Sequence, residues 1–119
     1  MMKERSDALK HLLLGLPAPS FDSLYNIDSQ FTVLFFYNPE CQQCQKSSRL
    51  LSQISEKHPN IYIYAVIPNN ELDILYDIQT TPLIYLLDNE KNIIAKRITA
   101  EQLDYFLKTN KIGIGNVEQ

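Results

Sequence analysis

An apolar run, Phe31-Thr-Val-Leu-Phe-Phe-Tyr37, stands a few residues before Cys41-Gln42-Gln43-Cys44, and this join constrains the chain more than any other stretch. The run is apolar on both of its alternating faces, which suits a strand covered by helices on either side, as in parallel sheets. Pro39 has no amide hydrogen to continue a ladder. The strand is therefore expected to end near Tyr37 and to turn through Asn38-Pro39-Glu40 into a helix whose first turn holds Cys41. That helix should reach about Lys57, where His58-Pro59-Asn60 ends it. Cys41 and Cys44 are the chain's two cysteines. Taken alone, a C-x-x-C is half a zinc site, a structural disulfide or a redox pair; its place between a buried strand and a helix favours the last.

The flanking pattern extends this reading. Ile61-Tyr-Ile-Tyr-Ala-Val-Ile67 is a second β-rich run, so residues 31–67 read as strand, helix, strand, a right-handed crossover joining parallel strands. Pro68-Asn69-Asn70 breaks it, and Leu72, Leu75 and Tyr76 follow at helical spacing before Thr80-Thr81-Pro82. Leu83 to Leu87 and Ile93 to Thr99 flank Asp88-Asn-Glu-Lys-Asn92 and predict an antiparallel hairpin. Thr99-Ala-Glu-Gln102 has the form of a capping box, and Leu103, Phe106 and Leu107 give the closing helix one apolar stripe. Upstream, Ser6-Asp7 offers a cap for a short amphipathic helix ending at Gly15 to Pro17. Pro17 and Pro19 stiffen the next segment, and Phe21 to Tyr25 is expected as a short edge strand.

With 119 residues, 45% hydrophobic and 21% charged, the chain suits one globular domain with its own core. It divides into an opening helix (1–16), a core (17–108) and a frayed tail (109–119). Three glycines argue against a phosphate-cradling loop, and eleven scattered Lys and Arg in a chain of net charge -3 leave no basic face for nucleic acid. The longest apolar run near the start, Leu12 to Leu16, is too short for a secretory leader or a membrane span. The chain as given thus reads as soluble, leaderless and without a membrane segment.

Side chains three apart on a helix share a face, with Cβ atoms roughly 5 to 6 Å apart, so Cys41 and Cys44 can cycle between dithiol and disulfide. The free N–H groups and positive end of the helix macrodipole stabilise a thiolate, which marks Cys41 as the nucleophile. A thiol of pKa about 8.5 is a few per cent ionised at pH 7, against roughly half for one near 7, so the helix start has a large effect on reactivity. Cys44, a turn deeper, is expected to be the buried resolving thiol. Glu40, a negative charge beside Cys41, is expected to push the Cys41 pKa back up.

With strand, C-x-x-C helix, strand, helix, Thr81-Pro82, hairpin and helix in this order, the chain resembles thioredoxin-fold proteins over roughly residues 17–108. The resemblance implies a thioredoxin-like three-layer α/β/α sandwich with a central mixed sheet. Gly15-Leu-Pro-Ala-Pro-Ser-Phe21 is similar to the opening of the TlpA-like and peroxiredoxin-like branch, and Phe35-Phe36-Tyr37-Asn38-Pro39-Glu40-Cys41 to thioredoxin-like domains of bacterial envelope proteins. By this resemblance Pro82 is a cis-proline facing the cysteines, and Thr81 offers its backbone to an extended substrate segment. The chain departs from thioredoxin itself in having Glu40 for Trp, Gln42-Gln43 for Gly-Pro, and Phe35 where thioredoxins bury an acid.

The expected function is a thiol-disulfide oxidoreductase that exchanges disulfides with protein substrates and is recharged by an upstream redox partner. No organic cofactor is implied. The family's look-alikes point to the periplasm or cell envelope, with the cytoplasm as the alternative. The rival reading is a thioredoxin-fold interaction module with weak or lost turnover, suggested by Phe35, Glu40 and the missing Trp. A peroxidase would want Thr or Ser where Asn38 stands. Zinc wants four ligands, and His11 and His58 lie in separate segments with no ligand spacing. Both histidines, and Lys46 on the cysteine helix, read as surface or helix-end residues. Tyr62, Tyr64, Tyr76 and Tyr85 read as core or sheet-face aromatics.

Overall fold

Strand β1 (Phe31–Phe36) is buried at every position after the first, because side chains from both directions close over it. In the computed structural model, which describes residues 12–109, β1 lies inside a four-stranded sheet of order β2-β1-β3-β4. After β1 come helix α1 (Gln42–Lys57), β2 (Ile61–Val66), helix α2 (Asn70–Leu75), β3 (Leu83–Leu87), β4 (Ile93–Ile98) and helix α3 (Ala100–Thr109). β1 pairs parallel with β2, Phe31 opposite Ile61, and antiparallel with β3, Phe36 opposite Leu83. The sheet is mixed because a helical crossover joins β1 to β2, whereas a short loop suffices for the β3–β4 hairpin.

The two-residue period of the strands sorts the core into two slabs. Leu34, Phe36, Tyr85 and Leu87 face one side, where they meet Leu24, Leu72 and Tyr76. Val33, Phe35, Ile84 and Leu86 face the other, against Leu51 and Ile54 of α1 and Leu103 of α3. The result is the expected three-layer α/β/α arrangement. Each large apolar side chain fully removed from water contributes about 1.5–3 kcal/mol, so the slabs dominate the stability of the layers. Among the described residues β2 is one of the sheet's two edge strands, and after Ile61 none of its residues is buried. Tyr62 is 49% exposed on it, outside the core, while Tyr76 and Tyr85 are fully buried.

Two local expectations are corrected. Phe21 to Tyr25 is not a strand: Asp22 has a positive φ of 45° and Leu24–Asn26 forms a 3-10 turn. The reason lies in spacing. Phe21 stacks on Tyr64 at 5.6 Å and meets Tyr76 edge-on at 5.7 Å, while Leu24 is fully buried. Two inward residues three apart fit a turn of helix and not a strand's period of two. Edge pairing occurs earlier instead, with Pro17 bridged to Asn92 and the Ala18 amide donating to the Lys91 carbonyl at 2.9 Å. The opening helix does not extend through Leu16 either: residues 12–16 form a turn around Gly15, whose φ of +87° favours glycine. The rest of that helix and the tail from Asn110 lie outside the described residues.

The start of α3 and the end of α1 are set as the sequence predicts. Thr99 Oγ1 accepts the Gln102 amide at 3.0 Å and Gln102 Oε1 accepts the Thr99 amide at 2.9 Å, a reciprocal capping box. His58 caps the C-terminus of α1, its amide donating to the Ile54 carbonyl at 3.0 Å. No helix among the described residues is long and apolar enough to cross a membrane.

Candidate redox site

Asn38 makes the turn that the cysteines need. Its side-chain oxygen accepts the Glu40 amide at 3.0 Å and its carbonyl accepts the Cys41 amide at 3.0 Å, closing the chain on itself just past β1. Cys41 then stands at the N-cap of α1 with extended backbone, φ -91° and ψ 116°, rather than inside the first turn as expected. The difference is consequential. An N-cap side chain can reach the unpaired amides of the first turn, and Cys41 Sγ accepts the Cys44 N–H at 3.0 Å. The sulfur thus occupies the place that Ser or Asp oxygen takes in other helices.

The two thiols are free and unequal: Cys41 is half-buried, whereas Cys44 is 2% exposed within the slab on the α1 side of the sheet. The Cys41 thiol is held below its ordinary pKa, chiefly by the hydrogen bond from the Cys44 side chain and with help from the Cys44 and Gln43 amides. Cys44 is pushed the other way, first by burial and then by the proton it gives toward Cys41. The upward push expected from Glu40 does not prevail at Cys41. Glu40 is exposed, where water screens its charge, while the opposing hydrogen bonds are direct.

Opposite the helix start lies the loop before β3. The Thr81–Pro82 peptide bond is cis, and Cys41 Sγ–H donates to the Thr81 carbonyl at 3.7 Å. The fold therefore gathers all four residues singled out from the sequence, Cys41, Cys44, Thr81 and Pro82, at one end of the sheet. Beside Cys44 opens a cleft of about 350 Å³ lined by Tyr37, Pro39, Ser48 and Arg49 among others. Phe35, which stands where a thioredoxin buries an acid, stacks on Tyr37 at 5.6 Å with an interplanar angle of 16°. Lys46 is exposed. Among the described residues no group of three or more His, Cys, Asp and Glu is placed to hold a metal ion.

One set of residues near the site gave no sequence signal. Asp77, 6% exposed at its side chain, pairs with Arg97 at 2.9 Å, and the Tyr85 hydroxyl donates to the Tyr76 carbonyl at 2.7 Å. Arg97 lies in the run Ile93 to Thr99, which reads from sequence only as one strand of a hairpin. Its partner lies twenty residues away, beyond any local rule.

A parallel-strand crossover carrying the C-x-x-C at its helix start, with a cis-proline loop set against it, defines the thioredoxin class of fold. The chain belongs to the thioredoxin-fold family. It is similar to a domain of a possible thiol-disulfide isomerase from Cytophaga hutchinsonii, at 30% identity and TM-score 0.69, covering 84% of this chain and 94% of that one. A conserved protein of unknown function from Bacteroides fragilis is 31% identical at TM-score 0.61, covering 71% and 84% of the two chains. The thioredoxin domain of a thiol-disulfide oxidoreductase from Bacteroides vulgatus shares the fold at 18% identity and TM-score 0.71, covering 83% and 98%. No protein-family profile and no curated protein matches the chain.

Proposed function

We propose that the protein is a thiol-disulfide oxidoreductase acting on protein disulfides, with Cys41 as nucleophile and Cys44 as resolving thiol. One observation carries the reading: the Cys41 sulfur is capped by the Cys44 amide at 3.0 Å while Cys44 itself is buried. The Cys41 thiolate attacks one sulfur of a substrate disulfide, forming a mixed disulfide and expelling the other sulfur as a thiolate that takes up a proton. Cys44 then loses its proton and attacks Cys41 Sγ, closing the Cys41–Cys44 disulfide and releasing the second substrate thiol. Two electrons and two protons have passed to the substrate. An upstream dithiol partner returns them.

Thr81 and Pro82 form the adjacent substrate contact in this proposal, the Thr81 backbone pairing with an extended substrate segment. The names of the Cytophaga and Bacteroides neighbours support the reaction class. We assign the protein to the TlpA-like branch and to the periplasm or cell envelope, on the Gly15 to Phe21 opening and the Phe35 to Cys41 stretch. Fractionating cells that make the full-length protein tests the compartment.

Reduction of insulin disulfides by the dithiol form tests the activity. Turnover is expected in the native protein and none with Cys41→Ser; turnover that survives that substitution sinks the assignment. An interaction module with little turnover is the competing reading, favoured by the apolar Phe35 beneath the site, which supplies no proton acceptor for Cys44. A lowered Cys41 pKa in thiol titration supports the enzyme, and an ordinary one without turnover supports the module.

A further inference from the structure

We propose that Arg97 is a positioning residue for the exchange site, holding the loop that sets Thr81 over Cys41. The inference rests on the oxidoreductase reading for its catalytic consequence, though not for its geometry. In the β3–β4 ladder Ile84 pairs with Ile98 and Tyr85 with Lys96, so Arg97 is an extra residue, bulged out of the register. Its φ of +55° is the left-handed conformation that side chains other than glycine rarely adopt. A bulge re-aims the side chain it carries. Here it turns the guanidinium toward Asp77, donating from Nη2 to the Asp77 carboxylate at 2.9 Å and to the Asp77 carbonyl at 2.8 Å.

Asp77 is the first residue past the C-cap of α2, and it too has a positive φ, 50°. The preceding carbonyl, that of Tyr76, accepts the Tyr85 hydroxyl. Consecutive carbonyls at the start of the loop are thus held by one residue from β3 and one from β4, and Gln79 Nε2 adds a donor to the same carboxylate at 3.3 Å. Ile78, next to the clamp, is buried in the core, but Gln79 and Thr80 are exposed and Thr81 and Pro82 half-buried, so the stretch from Gln79 to Pro82 has less packing than its two flanks. Thr81, which faces Cys41, lies in that interval. Arg97 is 39% exposed at its side chain but pairs with a carboxylate that is 6% exposed, so its loss costs some stability as well. Its use is geometric: it fixes where the loop begins relative to the sheet that also places Cys41.

The test compares Arg97→Gln, Arg97→Lys and the native protein in three readouts: kcat/KM for insulin disulfides, the rate of Cys41 alkylation by iodoacetamide, and amide exchange. Displacement of a contact by a fraction of an ångström costs large factors in rate, so Arg97→Gln is expected to lower kcat/KM about tenfold while Cys41 alkylation stays within about twofold. Exchange at Gln79 to Thr81 should accelerate well beyond that of Val33 to Phe36, and Arg97→Lys should restore part of the loss. Unaltered insulin kinetics overturn the proposal. So does a parallel loss in all readouts, the β1 amides included, which would mark a global effect. Should Arg97→Gln fail to fold, Asp77→Asn carries the same test, since Asn tolerates a positive φ. A native protein that does not reduce insulin overturns the oxidoreductase reading, and loop exchange alone then decides whether Arg97 holds the loop.

Discussion

The sulfur of Cys41 accepts the backbone amide of Cys44 at 3.0 Å, and the thiol of Cys44 lies buried behind it. One short segment therefore presents an accessible sulfur stabilised as its anion and a sheltered sulfur that keeps its proton. The consequences of that asymmetry can be measured separately.

Trapping should depend on which cysteine is kept. With Cys44→Ser, the mixed disulfide between Cys41 and a substrate cannot be resolved internally, so covalent protein–substrate adducts are expected to accumulate on non-reducing gels. With Cys41→Ser the buried Cys44 should trap none. Equal trapping by the two variants would contradict the assignment of roles.

Alkylation should follow the lowered pKa of Cys41. A depressed pKa means a larger thiolate fraction at neutral pH, so the iodoacetamide rate should reach its plateau at lower pH than for an ordinary cysteine. Only Cys41 should be labelled in the native protein, because Cys44 is both raised in pKa and inaccessible. Mass mapping of the adduct against pH checks both statements.

Tyr85→Phe removes the donor to the Tyr76 carbonyl and leaves a buried acceptor unpaired, at a cost of about 1–3 kcal/mol in urea unfolding. Burial pushes the Tyr85 pKa up from 10.0 to about 12. A raised folded-state pKa contributes stability that is present below the unfolded value and lost as pH rises through the folded one. The native protein should therefore lose stability between about pH 10 and pH 12, and Tyr85→Phe should lose less over that interval.

Thr99→Ala breaks the capping box at the start of α3, leaving the Gln102 amide without its side-chain acceptor. The expected loss is about 1 kcal/mol, read by urea unfolding.

The amino-acid order by itself determined the strand, helix and strand of residues 31–67, the hairpin, the capping box and the place of the cysteine pair, while Thr81 and Pro82 came from the family resemblance. Those features follow from interactions within a turn or a strand: the two-residue period of β1, the missing amide of Pro39, and the reach of Thr99 to Gln102. What the tertiary structure alone decided is how distant segments meet. Phe21 and Leu24 form a turn because Tyr64 and Tyr76 wait on the sheet to receive Phe21, and a local pattern cannot express that. Cys41 became a cap rather than a first-turn residue because Asn38 closes the chain just before it. Arg97 left its strand register for Asp77, a choice set by a bulge and by a carboxylate twenty residues away. Short-range hydrogen bonds and periodicity are written in neighbouring residues; long-range pairing exists only once the sheet has brought its partners together.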